Sequence, residues 1–202
     1  MAADSLDSVR VLDRTGAAIA QVAVILPDVE AASAGSRGPW VMDQVNKQFE
    51  PHVLIVPQSS LVSFPNSDDT RHHVYSFSDA KTFELRLYHG NEAQPVLFDK
   101  TGLVKIGCNI HDNMRAYIVV TEHSVFGTTD SDGFFRWPAL KQNLNKIMLW
   151  HPQLAEYFIA EVDPNDSGTV TITMPVDTPL QPEQSTPSSL EQRLKQFKRN
   201  AQ

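Results

Sequence analysis

The sequence predicts an all-β protein of the sandwich type, and three observations carry that expectation. Short runs rich in Val, Ile, Phe, Tyr and Thr recur along the chain. Clusters of Gly, Pro, Asn, Asp and Ser separate them at the spacing typical of sandwich strands. Helical periodicity is confined to the last residues.

The first strands are expected at Val9–Val11 and Ile19–Leu26, with Asp13-Arg-Thr-Gly16 as the turn between them. Residues 31–38 are small and flexible and read as a connection. The β pattern resumes at Val41, with strands at Val53–Val56, Ser60–Phe64, Val74–Phe77, Phe83–Tyr88, Leu103–Gly107 and Ala116–Thr121. Pro57-Gln-Ser-Ser, Asn66-Ser-Asp-Asp, Gly90-Asn and Asp99-Lys-Thr-Gly102 supply the turns. A second turn-rich stretch, Thr128–Gly133, precedes Phe134-Phe-Arg-Trp137, and further strands are expected at Ile147–Trp150, Tyr157–Val162 and Thr169–Met174. Past Asp177 the composition shifts to Pro, Ser, Gln and Thr, which reads as a linker-like tail over 178–202. Within it, Leu190, Leu194 and Phe197 fall on one face of a short candidate helix.

Composition narrows the function. The chain has 202 residues, long enough for one large or two small cores. Its 17 Lys and Arg stand against 24 Asp and Glu, a net charge of −7. That balance argues against nucleic acid as a partner, where a basic footprint is expected. The apolar run Ala17–Leu26 is broken by Gln21 and is too short to span a membrane. Ala2-Ala3-Asp4 resembles the small-residue remnant of a processed export signal. Cys108 is the one cysteine, so no internal disulfide framework exists. A lone cysteine can still be a nucleophile, a metal ligand or a small buried hydrophobe.

Its neighbours favour metal. Cys108-Asn-Ile-His111-Asp-Asn-Met114 puts a thiolate, an imidazole and a thioether on one loop between two expected strands. Soft sulfur ligands with imidazole suit copper, and His2Cys with a weak axial Met is the blue-copper arrangement. The second histidine is available in His72-His73, at the head of another strand. Zinc also accepts Cys and His, but its structural sites use more thiolates and gain nothing from a thioether. A cysteine-nucleophile site pairing Cys108 with His111 would leave Met114 unexplained. His52, His89 and His123 are isolated and read as surface or strand-end residues; His151, in Trp150-His-Pro152, reads as packed or hydrogen-bonded.

At these residues the sequence resembles the cupredoxins. Phe49-Glu-Pro51 and Ser60-Leu-Val-Ser-Phe64-Pro-Asn66 resemble the family's approach to its first histidine. Phe98–Gly102, Cys108-x2-His111-x2-Met114 and Tyr117–Val120 resemble its ligand loop and last strand, and the loop length is similar to that of amicyanin. His72–Ser78, Gly107–Asp112 and Trp150-His-Pro152 resemble exported bacterial cupredoxins labelled methylamine utilization protein-like. Those carry a copper module beside a small carboxypeptidase-regulatory-like β domain.

The resemblance implies a Greek-key cupredoxin sandwich over 39–121, inserted in an accessory β domain split between 1–38 and 122–177. Residues 31–38 would be the outgoing crossing and 122–127 the return. It implies one copper per chain held by His72, Cys108, His111 and Met114, with His111 on the solvent side. His73 takes the place of a residue that bonds across to the ligand loop, and its imidazole is offered either for that bond or for the metal itself. The implied protein is a periplasmic type 1 copper electron carrier rather than an enzyme, most simply a monomer, working with redox partner proteins. A copper-sequestering or copper-delivery protein would use the same ligands, and a partner-binding module with a vestigial site is a third class.

Overall fold

The computed structural model describes residues 6–30 and 39–177, and its strands confirm the all-β expectation. The export-signal remnant, the 31–38 connection and the 178–202 tail lie outside the described residues. In chain order the strands are β1 (Leu6–Leu12), β2 (Ala23–Leu26), β3 (Trp40–Val41), β4 (Asp43–Val45), β5 (Gln48–Glu50) and β6 (Val53–Pro57). Next come β7 (Ser60–Ser63), β8 (His72–Ser78), β9 (Lys81–Tyr88), β10 (Val96–Phe98), β11 (Gly102–Gly107) and β12 (Arg115–Thr121). The last are β13 (Val125–Thr128), β14 (Phe134–Arg136), β15 (Lys146–Trp150), β16 (Phe158–Glu161) and β17 (Gly168–Thr173). Among the described residues no helix is long and apolar enough to cross a membrane.

The middle of the chain forms a sandwich. One sheet has the order β6-β12-β11-β8-β9 and faces a second of order β10-β7-β3, with the β4-β5 hairpin at one end. Inward residues alternate with outward ones, as strand geometry requires: Val74, Val104, Ile106, Ala116 and Ile118 meet Val62, Phe64 and Phe98 in one buried cluster.

The ends of the chain form two further sheets. β1 lies between β14 and β17, pairing antiparallel with the first and parallel with the second. β2 lies between β13 and β15, antiparallel to both. Four successive apolar residues in β2 are all buried because the strand is covered on both faces. Val24 and Leu26 enter the core of the terminal sheets, with Ile147, Leu149 and Trp137. Ala23 and Ile25 point the other way, into a third cluster with Val53, Ile55, Val119 and Trp150. That cluster joins β2 and β15 to the outer face of β6 and β12.

Sequence and structure differ at one strand worth naming. Residues 122–127, read as a return connection, include most of β13. Gly127 lies within that strand. A Cβ there would come within 2.2 Å of the Phe135 ring, so only glycine lets that ring cover the strand.

His151, just beyond β15, is buried. Burial, reinforced by the nearby His52, lowers its pKa from 6.5 to about 4, and burial lowers His52 as well. The unfolded chain therefore takes up protons below pH 6.5 that the folded chain refuses until about pH 4. This contribution to stability is complete above pH 6.5 and is lost as pH falls toward 4. Urea midpoints should drop over that window, and His151→Gln should flatten the drop.

Candidate metal centre

Three expected ligands converge at one end of the sandwich. His72 opens β8, Cys108 follows directly on β11, and His111 lies on the turn that leads into β12. Their ligand atoms lie within 4.8 Å of one another. Cys108 Sγ is 3.8 Å from His72 Nδ1 and 3.8 Å from His111 Nδ1, and the two rings are 4.9 Å apart. His72 is fully buried, Cys108 is 4% exposed, and His111 is half-buried at the rim.

The loop that carries Cys108 and His111 is closed by its own backbone. Met114 N–H donates to His111 C=O at 2.9 Å, and Cys108 N–H donates to Met114 C=O at 3.1 Å. Seven residues thus form a tight double turn. Met114 is 1% exposed and packs in the same core cluster as Cys108.

The spacing fits a bound ion. Metal–nitrogen and metal–sulfur bonds of about 2.0 and 2.3 Å, opened to about 120°, separate the two ligand atoms by about 3.7 Å. Both Sγ–Nδ1 distances, at 3.8 Å, are close to that value. Both rings turn the same nitrogen, Nδ1, toward the sulfur, a convergence of three ligand atoms that suits a bound cation. One thiolate, two imidazoles and a nearby thioether form a donor set that fits copper.

The sequence missed the group that orients His72. Its Nε2 lies 2.7 Å from Asp68 Oδ2. With Nδ1 turned to the sulfur, the ring proton sits on Nε2 and donates to the carboxylate, an arrangement common behind metal-bound histidines. Asp68 is held in turn. It accepts from the amides of Asn46 at 2.6 Å and Lys47 at 2.8 Å, and its own amide donates to Asn66 Oδ1 at 3.1 Å. Burial opposes the Asp68 charge, but the Lys47 amide, the His72 ring and the Asn46 amide together hold its pKa below the usual carboxylate range. Asn66 anchors the turn by donating to Thr70 C=O and Tyr88 C=O, each at 2.9 Å. The Asn66-Ser-Asp68 turn four residues ahead of His72 was the available signal.

His73 does not take the bridging position that the resemblance implied. Successive strand residues point to opposite faces. His73 therefore lies on the outer face, with Nε2 2.9 Å from Glu84 Oε1. His73→Asn should leave copper binding intact and shift the spectrum little, whereas Asp68→Asn should keep copper but change its reduction potential. Removing the negative charge behind His72 destabilises the more highly charged oxidised site, so the potential should rise. Voltammetry of the two variants checks this.

No family model and no curated protein matches the chain. Among solved structures, it is similar to a copper-containing nitrite reductase from Thermus scotoductus SA-01, with 24% identity and TM-score 0.40. That match covers 46% of this chain and 25% of the reductase, so the chain spans about a quarter of that relative's length. It is also similar to the reduced Cu(I) form of an amicyanin variant, with 21% identity, 48% of this chain, 98% of that chain and TM-score 0.39. A purple cupredoxin from Nitrosopumilus maritimus matches at 19% identity over 40% of this chain and 96% of its own, with TM-score 0.36. The site gathers a cysteine and two histidines at one end of an all-β sandwich, Cys108 and His111 on a loop closed by Met114 and His72 at the head of β8.

Proposed function

We propose that this chain is a periplasmic, mononuclear type 1 copper protein that exchanges single electrons with redox partner proteins. The observation that carries it is the placement of Cys108 Sγ 3.8 Å from both imidazole Nδ1 atoms. Cys108, His72 and His111 would hold the metal, and Met114 would add a weaker thioether donor. Copper, when bound, supplies the one-electron couple. His72 is fixed by Asp68 and by burial, Cys108 by the end of β11, and His111 by the closed loop. Ligands held this firmly change little between oxidation states. Four protein donors leave no open position for a substrate, which favours electron exchange over turnover. The half-buried His111 is the solvent-side ligand.

In the same reading, residues 39–121 are a copper-carrying unit set between the two halves, 1–38 and 122–177, of a carboxypeptidase-regulatory-like β unit. The partners of β1 and β2 support this, since all of them come from the far side of that segment. The periplasmic location rests on the resemblance in sequence.

The test is the absorption and EPR spectrum of the copper-loaded protein with a voltammogram. An intense thiolate-to-copper band and a reversible wave are expected. Irreversible electrochemistry with rapid loss of copper to a Cu(I) chelator would assign the protein to copper delivery instead. Met114→Leu should retain copper and raise the potential, because the lost thioether stabilises Cu(II) more than Cu(I). An unchanged potential would mean Met114 only fills the core.

A further inference from the structure

The outer face of the five-stranded sheet is covered on one side only. Over β6 and β12 it is buried beneath Ala23, Ile25 and Trp150. Among the described residues it is open over β8, β9 and the Lys105–Gly107 end of β11, and there β8 presents His73, Tyr75 and Phe77 in a row. Their rings lie 5.7 and 5.2 Å apart. Phe77 is 80% exposed. An aromatic left in water at the end of a row of tilted, touching rings forgoes the burial that would otherwise stabilise it, which is a mark of an interaction surface.

The row also reaches the metal centre. Tyr75 is paired across the sheet with Gly107, the residue before Cys108. A Cβ on Gly107 would lie 2.9 Å from Tyr75 Cζ and 3.0 Å from its Oη, so glycine lets the phenol rest on the backbone beside the thiolate. Whatever docks on Tyr75 and Phe77 sits one residue from a metal ligand.

The charges select the partner. On β8, β9, β11 and β12 the basic side chains, histidines aside, are Lys81, Arg86, Lys105 and Arg115, and the one carboxylate is Glu84. Lys81 is bonded to Asp99 at 3.1 Å. Glu84 is engaged by His73 at 2.9 Å and approached by Arg86 at 3.9 Å. Lys105 and Arg115 are exposed, and the Arg86 side chain is 89% exposed. With Asp79 exposed on the β8–β9 turn as an opposing charge, Arg86, Lys105 and Arg115 still leave this sheet face locally cationic on a chain of net charge −7.

We infer that the Tyr75–Phe77 face, framed by Arg86, Lys105 and Arg115, is a docking surface for an acidic protein that exchanges one electron with the metal centre. The inference rests on the electron-exchange reading above. The partner loses or gains the one electron that the centre gains or loses, and no proton or atom moves between them.

The experiment uses two probes on the full-length, copper-loaded protein. The first is the paramagnetic trianion hexacyanochromate(III), titrated into the ¹⁵N-labelled Cu(I) form. Amides of Phe77, Arg86 and Lys105 should broaden first, and the Arg86→Glu/Lys105→Glu double variant should lose that broadening. Broadening confined to residues 109–113 in the wild type, or unchanged in the variant, overturns the surface. The second probe is oxidation by hexacyanoferrate(III) against the cationic tris(phenanthroline)cobalt(III). The double variant should lower the ratio of the two rates about tenfold or more at low salt, with the effect fading as ionic strength rises. An equal ratio in wild type and variant also overturns the proposal. Site-selective broadening with no oxidation by either reagent would support the anion-docking face while removing the electron-exchange reading.

Discussion

Cys108→Ser is expected to abolish the thiolate-to-copper charge-transfer band completely while leaving the β-sandwich folded. The sulfur is the donor that both imidazoles approach at 3.8 Å, and a hydroxyl remains protonated at neutral pH and cannot replace a thiolate. The fold should tolerate the change. Serine is close in size, and its buried hydroxyl costs about 1–3 kcal/mol if unpaired. Absorption spectroscopy of the copper-loaded variant and circular dichroism of the same sample decide the matter. A variant that keeps the colour would remove Cys108 from the site.

The second large effect is at the junction between the sheets. Trp150 is buried among Ala23, Ile25, Val53, Ile55 and Val119, and its ring meets Tyr117 edge-on at 5.2 Å. Trp150→Ala should cost about 3–5 kcal/mol, the usual range for removing a buried tryptophan. Trp150→Phe should cost far less than the alanine change. The indole Nε1 is buried without a hydrogen-bond partner, so losing it relieves a desolvated donor and offsets part of the lost packing. Chemical denaturation of both variants measures the difference. Equal losses would mean that the indole N–H contributes in a way the packing does not reveal.

The long, apolar strands were legible because both their length and their alternation are large signals. Val53–Pro57 and Arg115–Thr121 fall where the pattern places them, with small shifts at the ends. The stretch from Trp40 to Glu50 was not. Asp43-Gln44-Val45 and Gln48-Phe49-Glu50 are mostly polar, and they pair as a hairpin through Asn46 and Lys47, both at positive φ. Gln44 is buried there by bonds its sequence does not advertise, donating to Pro65 C=O at 2.9 Å and Tyr88 Oη at 2.6 Å. At the metal centre, the ligand residues were readable because their chemistry is rare and closely spaced. Asp68 was not, because a carboxylate in a polar turn is ordinary until the fold aims it at a histidine.

The pairing of β1 and β2 with strands from the far end of the chain also governs how the protein acquires its structure. Val24 waits for Gly127 and Leu149, and Val9 for Phe135 and Val170. More than a hundred residues separate these partners, a high contact order that slows folding. At roughly 5–20 residues per second, the first strands emerge on the order of ten seconds before anything can cover them. Residues 53–121 carry their own sheet partners and can collapse in that interval. Assembly therefore proceeds from the inside outward, and the two chain ends close last over a sandwich already formed. A lesion that delays that closure leaves the apolar strand Ala23–Leu26 as an open edge, the part of this molecule most prone to aggregate.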